Sequence, residues 1–143
     1  MNPRQFCTFQ VNELTVGVDI ARVQVVLRTT PVTPVPLAAP YVSGLLNLRG
    51  QIVTVIDMRT RLGLAASAST RDAVHVVVKS RGELLGLVVD REGDIVAVED
   101  DALDVIWEVT ENEHGTCFVG ASNLDACRIL VLDPDRVLSG LAP

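Results

Sequence analysis

Aromatic residues are scarce in this chain: Phe6, Phe9, Tyr41, Trp107 and Phe118 make up 3% of its 143 residues. Stacking on nucleobases therefore has little to work with, and no nucleic-acid partner is expected. No apolar run approaches the ~20 residues that cross a bilayer as a helix. Met1 to Gln10 also lacks the basic start and apolar stretch of a secretory leader. The expectation is a cytoplasmic protein with no direct membrane insertion. Cysteine is limited to Cys7, Cys117 and Cys127, an odd number without close spacing, each in a strand-like apolar run. Such residues read as buried reduced thiols rather than a disulfide or metal site. His75 and His114 share no metal-ligand spacing with each other or with a cysteine. His75, inside DAVHVVVKS, is a residue on one strand face, and His114 precedes Gly115 in a turn.

Catalytic constellations are absent too. Ser43-Gly44 has neither the sharp turn nor the partnered histidine of a hydrolytic nucleophile. Asp100-Asp101 and the acidic residues from Glu111 to Glu113 lack the alternating spacing of a calcium loop. No glycine-rich phosphate loop follows a strand and opens a helix. The sequence therefore predicts no catalytic residue, cofactor or metal, and a protein that is not an enzyme. The net charge of −6 is unevenly spread. Residues 1–89 carry nine basic and five acidic side chains, whereas residues 90–113 carry ten acidic and one basic. Anionic partners should avoid that second segment, which reads as a solvated face.

What is present is a dense supply of short apolar runs, 48% of residues being apolar. Valine and isoleucine dominate these runs, and turn residues separate them, so strands prevail. Phe6–Val11 and Leu14–Asp19 flank Asn12-Glu13, while Val74–Ser80 and Glu83–Asp90 flank Arg81-Gly82; both pairs read as hairpins. Two further hairpin tips fall at Arg49-Gly50 and Asp125-Ala126. The stretch from Gly44 to Leu64, GLLNLRGQIVTVIDMRTRLGL, is the most informative. Gly44, Asn47, Leu48, Val55, Asp57 and Leu62 recur 76 residues later as Gly120, Asn123, Leu124, Val131, Asp133 and Leu138. Each half of the chain thus follows one plan of hairpin, connector, hairpin and short helix. Hairpin-rich chains dispose of their edges by closing, so two small packed β-barrels are expected. Ile52 and Ile56 point one way and Val53 and Val55 the other; one face should fill a barrel and the other meet the second barrel or a partner.

Features shared by both copies belong to the scaffold, whereas Arg49 is replaced by Asp125 in the second copy. Arg49 is therefore the first functional candidate. Ile20, Val23, Val26 and Leu27 fall at helical spacing behind Asp19, which predicts a capped helix over Asp19–Leu27. Asp57 and Asp133 each end a strand and cap a short helix, with Gly63 and Gly140 placed to end it. Four prolines between Thr29 and Pro40 predict an extended connector without regular hydrogen bonding, and Ala65–Thr70 predicts a loop.

With NLRG at Asn47–Gly50 followed by a strand ending in Ile56-Asp57, the chain resembles the CheW family of chemotaxis coupling proteins. The likeness extends through VGVDIARVQVVLR, TPVPLAAPYVSGLLNLRGQIVTVIDMRTRLGL, GLVVDREGDIVAV and VGASNLDACRILVLDPDRVL. It implies a mainly β fold: two SH3-like five-stranded β-barrel subdomains, intertwined within one domain over 1–143, packed on a shared apolar core with a few short helices. It also implies a non-catalytic adaptor that joins the cytoplasmic tip of methyl-accepting chemoreceptors to the regulatory domain of a CheA-type histidine kinase. The alternative is a specialised CheW-like paralogue, outside flagellar chemotaxis, that binds only one of these partners. Carried over by position, the protein-binding residues are Val23, Val25 and Val26 on the predicted helix, Gly44 and Leu48 on the hairpin strand, and Arg49 and Gly50 at its tip. Two departures stand out. Val25 occupies a position where family members usually carry an acid, and the 102–116 link is short and without the usual prolines.

Overall fold

The computed structural model describes residues 4–28, 31–37, 39–64, 74–98, 117–124 and 127–137. Among the described residues ten strands form two five-stranded sheets. They are β1 (Arg4–Val11), β2 (Leu14–Asp19), β3 (Val23–Arg28), β4 (Val42–Leu48), β5 (Gln51–Asp57), β6 (Val74–Ser80), β7 (Glu83–Val89), β8 (Arg91–Val98), β9 (Phe118–Leu124) and β10 (Cys127–Leu132). The first sheet runs β8-β1-β2-β10-β9 and the second β3-β6-β7-β5-β4. The hairpin pattern read from the sequence supplies eight of these strands; β3 and β8 come from the connectors. Each sheet takes its leading hairpin from one half of the chain and its other three strands from the other half. In both, a parallel contact joins the two contributions, β10 to β2 and β5 to β7.

Apolar side chains settle into three layers. Val53, Val55, Val77 and Leu46 fill the inside of the second sheet, and Phe6, Val98 and Val131 the inside of the first. Between the sheets lies a larger seam that includes Phe9, Val16, Val18, Ile56, Met58, Leu62, Val76, Leu87 and Phe118. The alternation of β5 accounts for its double burial: Val53 and Val55 point into their own sheet and Ile56 into the seam. Among the described residues no ladder joins β8 to β9 or β3 to β4, so each sheet curls in the SH3-like manner without sealing. The edge of β4 is covered instead by the proline-rich connector. Thr33 exchanges two backbone hydrogen bonds of 2.8 Å with Leu45, a local pairing within a connector whose prolines predict no regular hydrogen bonding.

The predicted helix over Asp19–Leu27 is not formed. Asp19 does cap a turn, its carboxylate accepting from the Ala21 N–H, but only a 3-10 turn at Ile20–Arg22 follows before the chain enters β3. A β-bulge between Val23 and Val25 explains the misleading spacing. The extra residue places Val23 and Val26 on the same face of a strand, a separation of three that otherwise signals a helix. The other caps follow the sequence pattern. Asp57 accepts from the Arg59 N–H and opens α1 (Met58–Arg61), after which Gly63 adopts a positive φ of 75°. Asp133 caps a second 3-10 turn at Pro134–Arg136. Residues 65–70, the 102–116 link, the Asp125-Ala126 tip, His114 and Gly140 lie outside the described residues.

Candidate functional site

The β4–β5 hairpin ends in a two-residue turn with Leu48 opposite Gln51. Arg49 and Gly50 have φ of 51° and 87°, the pair of positive values that marks an I′-type turn and matches the twist of the strands it joins. Asn47 Oδ1 accepts the Gly50 N–H at 2.8 Å, which fixes the loop from within. Glycine is required at 50 by its φ rather than by crowding, since nothing lies within 4 Å of where a Cβ would stand. Arg49 is exposed at the apex.

Gly44 is a different kind of glycine. It is buried, its φ is 150°, and a Cβ there would stand 2.2 Å from the Thr33 carbonyl oxygen. The backbone contact that seals the β4 edge therefore dictates this residue, and its first role is to hold the hairpin's base. Leu48 and Val25 are both half-buried and pack on the small cluster inside the second sheet. Val23 and Val26 project from the other face of β3 and pack at the margin of the seam. The predicted residues thus divide between two faces of one sheet. Leu48 and Val25 support the hairpin from inside, Val23 and Val26 line the seam side, and Arg49-Gly50 cap the end.

Ile52 belongs with this set and was not among the predicted site residues. It shares the seam-side face of β5 with Ile56 yet is 61% exposed, because the seam ends before reaching the hairpin tip. The sequence signal was available: its counterpart 76 residues later is Arg128, so Ile52, like Arg49, does not repeat.

Two charged clasps hold the seam that carries this surface. Arg59 on α1 grips Asp90 through two hydrogen bonds of 2.8 and 2.6 Å, and Asp90 also accepts from the Asn12 N–H at 2.6 Å. The Arg59 hydrogen bond holds the Asp90 carboxyl below its usual range despite partial burial. On the other side, Arg22 meets Asp135 at 2.6 Å and Ser80 Oγ donates to the same carboxylate at 2.9 Å. Here the Ser80 hydrogen bond is the main cause of a lowered Asp135 pKa, with Arg22 adding to it. A recess of about 310 Å³ lies on the first sheet among Arg4, Asp19, Arg22, Asp133 and Asp135. Its charges are paired, Arg4 with Asp19 at 3.1 Å, Arg22 with Asp135, and Asp133 with neighbouring Arg136 at 3.7 Å. Among the described residues no group of three His, Cys, Asp or Glu side chains is placed to hold a metal ion. What the exposed hairpin end offers chemically is an arginine fork beside an apolar side chain on a two-stranded support.

Residues 5–142 match the family described as the CheW-like domain. The chain belongs to that family. Its similarity to the chemotaxis protein CheW of Rhizobium meliloti is 29% identity over 134 residues, covering 94% of this chain and 86% of the relative. To the chemotaxis protein CheW of Treponema pallidum it is 30% identical over 144 residues, covering 94% and 82%. The fold is also that of the crystal structure of the scaffolding protein TtCheW from Thermoanaerobacter tengcongensis. That match has a TM-score of 0.89 at 24% identity and covers 96% of this chain and 93% of that one. Membership places this CheW-like chain among the chemotaxis coupling adaptors. Among the described residues no helix is long and apolar enough to cross a membrane.

Proposed function

We propose that this adaptor couples the cytoplasmic tip of methyl-accepting chemoreceptors to the regulatory domain of a CheA-type histidine kinase, with no chemistry of its own. It works in the cytoplasm and is recruited there to receptor arrays. The two half-chains act as one unit over residues 1–143, because each sheet draws strands from both halves. The observation that carries the reading is the exposed Arg49 on an I′-type turn, beside the exposed Ile52 at the open end of the seam. A helical receptor tip can lay an apolar stripe along the margin formed by Val23, Val26 and Ile52 while Arg49 fixes its register through a carboxylate or backbone carbonyl. Val25 faces the inside of the second sheet with Leu48, so the missing acid at this position removes a possible partner for Arg49 without disturbing the apolar margin.

The test is a pair of separate titrations, one with a receptor-tip fragment and one with the kinase regulatory domain. Binding to both supports coupling, binding to one alone identifies a single-partner variant, and binding to neither ends the proposal. Arg49→Asp, which copies the second half of the chain, should weaken receptor binding by about tenfold, the scale of one charge-assisted contact.

A further inference from the structure

The strands β5 and β7 run side by side in parallel, with Val53 opposite Leu84 and Thr54 opposite Leu85. Each is the second strand of a two-residue hairpin, so the turns that precede them leave the sheet at the same end on adjacent strands, which lie about 4.8 Å apart. Those turns are Arg49-Gly50 and Arg81-Gly82. Their geometry is the same, with φ of 51° and 49° at the arginines and 87° and 81° at the glycines. Positive φ at the first position is the domain of asparagine, aspartate and glycine, and a long side chain is disfavoured there. The leading hairpin of the first sheet follows that preference, with Asn12, at φ of 55°, opening its Asn12-Glu13 turn. One end of the second sheet therefore carries arginine twice against conformational preference, whereas the turn between β1 and β2 carries Asn12 and the acid Glu13.

Both arginines are exposed, and among the described residues neither makes a hydrogen bond or ion pair. The Arg81 charge does reach Asp135 through space. Of the other charged residues flanking these turns, Lys79 adds to the positive end and Glu83 opposes it. The chain as a whole is acidic, at −6, so this end is where a negative surface can approach without repulsion.

We infer that Arg81 works beside Arg49 as a twin-arginine contact for an acidic helical face. The partner chemistry is a pair of carboxylates flanking an apolar side chain, which Ile52 receives. This rests on the reading that a receptor tip docks at this end, and it adds Arg81 as a second determinant of which receptor is accepted.

The experiment measures binding of a receptor-tip fragment to the full chain at low and high salt for wild type, Arg49→Gln, Arg81→Gln, Arg81→Lys and Glu83→Gln. Arg81→Gln should weaken binding about five- to tenfold and flatten its salt dependence, as Arg49→Gln does. Arg81→Lys should retain most of the affinity, Glu83→Gln should raise it, and the unfolding midpoints should stay level. If Arg49→Gln weakens binding but Arg81→Gln matches wild type at both salts, the twin contact is overturned and the coupling role stands. If wild type fails to bind the fragment, the coupling role itself falls. Displacement of the fragment by single-stranded RNA at matched salt would overturn the acidic-helix assignment in favour of a phosphate-binding surface.

Discussion

The hairpins β4–β5 and β9–β10 share one ladder and differ at their tips. Val42 pairs with Ile56 and Gly44 with Val55; 76 residues later Phe118 pairs with Leu132 and Gly120 with Val131. Even the register shift falls at the same step in both copies. The tip residue Arg49 and the exposed Ile52 have no counterpart of their kind, being replaced by Asp125 and Arg128. Packing constrains what is buried and leaves the solvent-facing positions free to specialise. The charged clasps teach a related lesson. Arg59 and Asp135 occupy equivalent places after β5 and β10, and their partners Asp90 and Arg22 follow β7 and β2. One member of each clasp keeps its place in the repeat while its charge is reversed, and the partner is drawn from beyond the neighbouring strand, because mutual neutralisation satisfies a partly buried pair in either sense.

The largest break should come at the hairpin's base. Gly44→Ala drives a Cβ into the Thr33 carbonyl and should cost about 3 kcal/mol or more, read as a fall in the denaturant midpoint. Gly50→Ala meets open space and should cost about 1 kcal/mol, from its positive φ alone. Equal losses at the two sites would contradict the division between scaffold and tip.

Exchanging the sense of one clasp is the next test. Arg59→Asp and Asp90→Arg should each lower the melting temperature by several degrees, and the double variant should recover most of the loss. No recovery would mean that the polarity of the clasp, and not only its neutrality, is required. The carboxyl groups of Asp90 and Asp135 are held below the ordinary value of 3.8, so their contribution is present above that pH and is lost as pH falls below it. Asp90→Asn combined with Asp135→Asn should flatten that acid limb.

A smaller effect resides in His75, 4% exposed on β6, whose Nδ1 has no hydrogen-bond partner among the described residues. Burial lowers its pKa from 6.5, so below that pH the unfolded chain takes up a proton that the folded chain refuses, and stability declines. His75→Val should remove this slope between neutral and mildly acid pH; an unchanged slope would place its origin elsewhere. The smallest change in stability is expected for Arg49→Asp, within about 0.5 kcal/mol of wild type, as for other exposed sites. A larger loss would return Arg49 to the scaffold.

Much of the fold was legible because its signals are local. Alternation and two-residue turns located the hairpins, and the aspartate caps at Asp57 and Asp133 followed from their place at strand ends. β3 was misread because its bulge imitates helical spacing. The start of the acidic segment read as a solvated face and is largely that, with Asp94 and Ile95 exposed, but Val96 and Val98 turn inward and make it the edge strand β8. Arg49 stands out along the chain through its failure to repeat. Its nearness to the Arg81 turn is not legible there, because nothing along the chain brings residues 49 and 81 to one edge.

By itself the sequence determined the strand-rich class, the hairpins, the 76-residue repeat and the family, since these depend on periodicity, turn chemistry and ordered motifs. The tertiary structure decided the exchange of hairpins between halves, the bulge that turned a predicted helix into β3, and the meeting of the two arginine turns. All three are set by pairings between distant segments, where burial of apolar faces and satisfaction of backbone hydrogen bonds are resolved together.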